Sequence, residues 1–189
     1  MDKLDKRELI LTEAEKLFCQ RGYYGLGLSE LLKQCGIPKG SFYYYFPDGK
    51  LQLIQEVLWH SYRRMEAGIT EGILVETSAL SCFERMADHL AQSVCERDYF
   101  PSMLMSMIAI ESVYLDERVH QTCKTIYSEW QQLYARYLIR FGVSKEESVS
   151  KAQAIFALIH GSMISSWIKQ DPQDLLLAKS SLQHIIGNR

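Results

Sequence analysis

The chain has 189 residues, 47% of them hydrophobic, and a formal charge of −2. Apolar content at that level buries a full core, whereas the balanced charge excludes a protein that coats nucleic acid by bulk electrostatics. No run approaches the ~18 apolar residues of a membrane span, and residues 1–10, MDKLDKRELI, lack the apolar centre of a signal peptide, so a cytoplasmic protein with no membrane partner is expected.

From Lys6 to Arg21, Ile10, Ala14, Leu17 and Phe18 recur at helical spacing, and Gly22 is placed to end that helix. Two short helical pieces follow, SELLKQC and KGSFYYY, separated by Gly36-Ile37-Pro38. A helix that stops at a glycine and restarts just after a proline reverses tightly, because Gly36 accepts positive φ and Pro38 presets the first helical φ. This is the grammar of a helix-turn-helix. On the second piece Phe42 and Phe46 share one face, leaving Lys39, Gly40, Ser41, Tyr43, Tyr44 and Tyr45 around the rest. Three consecutive tyrosines cannot all be buried by so short a helix. Their hydroxyls, a lysine and a glycine that allows close backbone approach suit phosphates and base edges in a groove. Read alone, the residues also fit an ordinary helical hairpin with aromatic edges.

Gly22 to Phe46, GYYGLGLSELLKQCGIPKGSFYYYF, resembles the N-terminal domain of the TetR family of bacterial transcriptional repressors, with matches at Gly22, Tyr23, Gly36, Lys39, Gly40, Ser41, Tyr43, Tyr44 and Phe46. Two features depart from the commoner family pattern. Gly27 stands where many members carry a threonine that caps the second helix, although Glu30 remains at capping-box distance. The linker Phe46-Pro47-Asp48-Gly49-Lys50 is one residue longer and resembles that of a drug- and flavonoid-responsive subgroup. The resemblance implies DNA contacts by Lys39, Gly40, Ser41, Tyr43, Tyr44, Tyr45 and, through backbone phosphate, Lys50. Residues 1–60 carry eight basic and eight acidic side chains, so binding would rest on placement and not on bulk charge.

Pro47-Asp48-Gly49 is a turn, after which Leu51, Ile54, Leu58, Tyr62, Met65 and Ile69 predict a long amphipathic helix, a lever leaving the DNA-binding module. The pattern breaks between Gly72 and Ser78, resumes from Ser81 to Arg97, and gives way to the apolar PSMLMSMIAIES opened by Pro101. Met103, Met105 and Met107 there form either buried core or a deformable pocket wall. Asp116 to Phe141 reads as a long helix stopped by Gly142, and Lys145 to Gln170 and Pro172 to about Ile186 as a final pair broken at Asp171-Pro172. Ala154, Ala157, Gly161 and Ser165 make a small-residue stripe suited to close helix packing. The five cysteines, Cys19, Cys35, Cys82, Cys95 and Cys123, show no metal-ligand spacing and read as reduced thiols packed as small apolar groups.

With no strand-like alternation, the fold class is all-α: a three-helix helix-turn-helix domain over residues 1–48 and a helical ligand-sensing and dimerisation domain over 49–189. The resemblance implies a homodimer bound to double-stranded operator DNA and released by a small-molecule effector. It implies dimer contacts through the last two long helices, at Ala154, Ala157, Gly161, Ser165, Leu175, Leu182 and Ile186. The implied effector pocket draws Trp59, Tyr62 and Met65 from the lever helix, Met86 and His89 from the next, Met103, Met107 and Glu111 from the Met-rich segment, and Tyr127 and Trp130 from the helix after it. Such a lining favours a flat or greasy molecule of low charge. An enzyme is the rival class, but the five histidines and Glu111 come without H-E-x-x-H, a serine-nucleophile motif or a Gly-rich phosphate loop, so no catalytic residue, cofactor or metal is expected. A constitutive helix-turn-helix or scaffold protein without effector is the third.

Overall fold

A computed structural model describes residues 3–73, 75–97 and 101–187. Among these residues there are nine helices and no strand: α1 (Lys3–Gly25), α2 (Leu28–Cys35), α3 (Lys39–Tyr45), α4 (Lys50–Ile73), α5 (Ala79–Glu96), α6 (Pro101–Ser112), α7 (Glu117–Arg140), α8 (Lys145–Lys169) and α9 (Gln173–Ile186). The all-α expectation holds.

The breaks follow local chemistry. Gly22 interrupts α1 with φ 67° and ψ −179°, a conformation closed to other residues, so the first helix ends in effect where the sequence places its stop. Gly36 closes α2 in the left-handed region, its N–H shared between the Leu32 and Lys33 carbonyls. Pro38 is extended (φ −72°, ψ 152°) and caps α3, which starts at Lys39 as the sequence places it. Glu30 does not complete a capping box at Gly27. Its carboxylate turns outward to Arg21 at 2.9 Å, leaving backbone bonds alone to close the start of α2. Downstream, Ser78 and Ser81 form a capping box on α5, and Ser144 caps α8 by accepting from the Glu147 N–H.

The helices form two compact units, one drawn from residues 1–65 and 99–126, the other from 66–98 and 127–189. In the first, α2 and α6 both pack on α1, and Phe18, Leu31, Phe42, Phe46, Leu53 and Leu58 are fully buried. In the second, α9 packs on both α5 and α8, burying Phe83, Trp130, Tyr134, Ile155, Leu175 and Leu182. The division falls inside α4 and α7, so the helix-turn-helix shares its core with the first part of α4 and with α6, beyond residue 48.

Candidate functional site

The face of α3 is built by two anchors. Phe42 and Phe46, one turn apart, are fully buried with ring centroids 5.3 Å apart, and each contributes about 1.5–3 kcal/mol by leaving water. With that edge pinned inward, Lys39 and Gly40 are exposed, Tyr43 and Tyr44 are 41% and 62% exposed, and Ser41 and Tyr45 lie at the margin. Lys39 Nζ sits 5.9 Å over the Tyr43 ring, and Tyr44 meets Tyr45 edge to face at 5.2 Å. A Cβ at Gly40 would meet nothing within 4 Å. This surface therefore offers one cation, several hydroxyls and an unobstructed stretch of backbone. That is a donor set for an anionic, groove-shaped partner.

Lys50, expected at a backbone phosphate, is engaged within the chain. It is half-buried, its Nζ donates to the Tyr23 carbonyl and lies 4.2 Å over the Tyr23 ring, and burial pulls its ammonium below the ordinary lysine range against the opposing pull of Glu111. Glu111, expected in the pocket lining, is engaged within the chain too. Its Oε2 accepts from the Tyr23 N–H at 2.8 Å and its Oε1 covers Gly22, so the carboxylate is directed to α1.

The other residues expected to line a pocket fall into two sets. In the first unit Trp59 meets Tyr62 edge to face at 5.9 Å, Tyr62 is buried, and Met65, Met103 and Met107 are half-buried. In the second, Trp130 is buried, Met86 accepts from the Tyr134 hydroxyl at 2.9 Å, and Tyr127 meets Trp130 at 6.3 Å. His89, expected in the same lining, is exposed on α5. Sequence reasoning missed two members of this aromatic group, Phe156 and His160, stacked at 4.0 Å. The His160 ring also lies 4.3 Å from Trp130; its Nδ1 has no hydrogen-bond partner, and burial draws the imidazole down to about 3, keeping it neutral. Their i, i+4 spacing opposite Trp130 was the available signal.

On the last two helices, Ala154, Ala157 and Gly161 are exposed, and Ser165 is half-buried with its hydroxyl donating to Asp174. Leu175, Leu182 and Ile186 are corrected: all three are buried within the chain's own core, because α9 turns that stripe toward α5 and α8. Apolar side chains turned outward include Leu176 (42%) and Leu177 (57%) on α9, with Ile164 (39%) and Ile168 (76%) on α8. Between the two helices runs a groove of about 400 Å³ lined by Leu158, Gly161, Ser165, Leu177 and Ser181.

Four cysteines are buried, and burial pushes the thiols of Cys19, Cys35 and Cys82 up to about 12, 11 and 11; Cys95 is exposed. Among the described residues no His, Cys, Asp or Glu group converges as a metal site, and no helix is long and apolar enough to cross a membrane.

Comparison with known proteins matches this geometry twice. Residues 10–57 match the family model for bacterial regulatory proteins of the tetR family, and residues 79–181 match that for the C-terminal domain of LmrA/YxaF-like transcriptional regulators. The transcriptional regulator LmrA of Bacillus subtilis (strain 168) is 32% identical over 96% of this chain and 97% of its own length. The regulator YxaF of the same organism is 26% identical over 98% and 97%. Among solved structures, reduced E. coli NemR superposes with a TM-score of 0.86 at 24% identity, covering 98% of each chain, which speaks to the fold.

Proposed function

The chain belongs to the TetR family of bacterial transcriptional regulators, and from that premise we propose that it is a ligand-responsive repressor. It binds operator DNA as a homodimer through a DNA-binding domain of residues 1–48 and is released by a small hydrophobic or aromatic effector bound to residues of 49–189. The observation that carries this reading is the surface of α3, where Phe42 and Phe46 are buried and Lys39, Gly40, Ser41, Tyr43, Tyr44 and Tyr45 are turned to the outside or its margin. A helix so presented enters a major groove with its N-terminal residues at base edges and flanking donors on phosphates. The neutral charge balance of the module fits a protein that relies on these few contacts.

Support for an apolar effector comes from the side chains available to it. Tyr127, Trp130, Phe156 and a neutral His160 form one aromatic group, and half-buried Met103 and Met107 supply adaptable surface on α6. Neither set offers a buried cation for a phosphate. The test is retention of a DNA duplex enriched from a random-sequence pool by the full-length protein. Replacing Lys39 and Tyr44 together by alanine should reduce binding to that duplex at least tenfold, since each lost phosphate or base contact costs on the order of 1–3 kcal/mol. Unchanged binding in the double variant would show that α3 is not the reading helix.

A further inference from the structure

We propose that Lys50 and Glu111 are positioning residues that grip the backbone of one residue, Tyr23, by its carbonyl and its N–H and so set the angle of the helix-turn-helix, and that Lys50 does not contact DNA phosphate. The inference rests on the operator-binding reading and deepens it. Tyr23 lies immediately after the Gly22 kink and just before α2, so its backbone is the joint between α1 and the helix-turn-helix. Two other helices hold that joint. From α6, Glu111 accepts the Tyr23 N–H at 2.8 Å; from the first residue of α4, Lys50 donates to the Tyr23 carbonyl. The Tyr23 ring closes the arrangement, lying 4.2 Å beneath the Lys50 ammonium and stacked on Phe18 with planes 6° apart. Next to it, the Tyr24 hydroxyl donates to the Tyr114 carbonyl at 3.2 Å.

Charge accounts for both halves. A carboxylate on an N–H and an ammonium on a carbonyl are charge-assisted bonds, stronger than neutral ones, and each aligns with the peptide dipole. Glu111 also attracts the Lys50 ammonium. For Lys50 to reach a phosphate it would have to leave the Tyr23 carbonyl, the ring and the attraction of Glu111 together. Gly22 is part of the same device, because any Cβ there would run into Glu111 Oε1.

Salt dependence separates positioning from phosphate contact. A side chain that neutralises a phosphate contributes about 0.9 to the slope of log K against log salt, whereas one that positions the reading helix changes affinity and leaves the slope alone. Using the duplex enriched by the wild-type protein, Lys50→Met and Glu111→Ala should each weaken binding about tenfold with the wild-type slope. The double variant should bind like the weaker single, because both residues act through the backbone of Tyr23. Lys50→Gln, whose amide still donates to a carbonyl but carries no charge, should recover part of the loss; it also serves if Lys50→Met loses its helical circular dichroism. A slope shallower by about 0.9 in either Lys50 variant, multiplicative losses in the double variant, or full affinity in Glu111→Ala would overturn the clamp. Enrichment of no duplex by the wild type would instead overturn the operator reading, and the clamp with it.

Discussion

Glu15 is the side chain whose placement asks most of its neighbours. It is fully buried on α1, and its Oε2 takes Arg64 at 3.0 Å and His60 Nδ1 at 3.2 Å, both from α4, while Oε1 finds no partner. The other ring nitrogen of His60 lies 2.6 Å from Glu8. Both nitrogens face carboxylate oxygens, so both must donate, and the imidazolium is the form that fits; these bonds raise its affinity for the proton above that of a free histidine despite burial. A group whose folded pKa is raised contributes stability that is complete below its unfolded value, about pH 6.5, and is lost as pH rises through the folded value. The stability of the wild type should therefore fall between pH 6 and pH 8.5 by more than that of His60→Gln, measured by urea denaturation at each pH. At pH 6 the variant should be less stable by on the order of 1–3 kcal/mol, the cost of a buried acceptor losing a partner. Equal pH dependence in the two proteins would show that His60 does not titrate in the folded state. Glu15 falls between Leu11 and Phe18 on the inner face of an amphipathic helix, but its partners lie 45 and 49 residues away, and no local pattern pairs them.

At the scale of the helix, what was legible follows from which interactions are local. The reversal at Gly36, the paired anchors Phe42 and Phe46 and the turn before Lys50 depend on neighbours within a few residues, and the sequence carries them directly. The failures come from long-range choices. Leu175, Leu176 and Leu177 are equally apolar, and only docking on α5 and α8 decides that Leu175 goes inward and the other two outward. Glu111 ends an apolar helix, and nothing nearby in the chain shows that it binds the Tyr23 N–H. The glycines of the reading head give a test of this local logic. Gly22→Ala should cost on the order of 1–3 kcal/mol, because φ 67° with ψ near 180° is closed to alanine and a Cβ would strike Glu111. Gly40→Ala, helical and with open space around it, should instead gain up to about 1 kcal/mol by stiffening the unfolded chain while weakening DNA binding, since a methyl group would intrude where backbone meets the groove. Thermal unfolding and duplex retention, measured on both variants, read the two effects separately.

For the whole molecule, we propose that a second copy joins through the outward side of α8 and α9. Ile164, Ile168, Leu176 and Leu177 are too many exposed aliphatics on adjacent helices for scattered surface residues, and exposed Ala154, Ala157 and Gly161 leave room for a second backbone to approach. A two-fold axis through this face would let the α8–α9 pair of one protomer lie against that of its partner, each filling the groove of the other, as closed symmetric dimers require. The small-residue stripe of α8 lies on this face, whereas the α9 positions expected with it, Leu175, Leu182 and Ile186, are buried in the chain's own core. Leu177→Glu and Ile168→Glu place a charge on that face without touching the chain's own core. In the dimer each would be buried unpaired, at a cost of several kcal/mol. Analytical ultracentrifugation at micromolar concentration should find the double variant at half the wild-type mass, with unchanged circular dichroism. Duplex affinity should fall by 10²–10⁴, because a half-site bound alone forgoes the effective concentration that links two heads on one operator. Leu175→Ala is the control: it should lose about 2–5 kcal/mol of folding stability by opening a cavity in the core, yet sediment as a dimer while folded. A double variant that still sediments as a dimer would move the interface to another face.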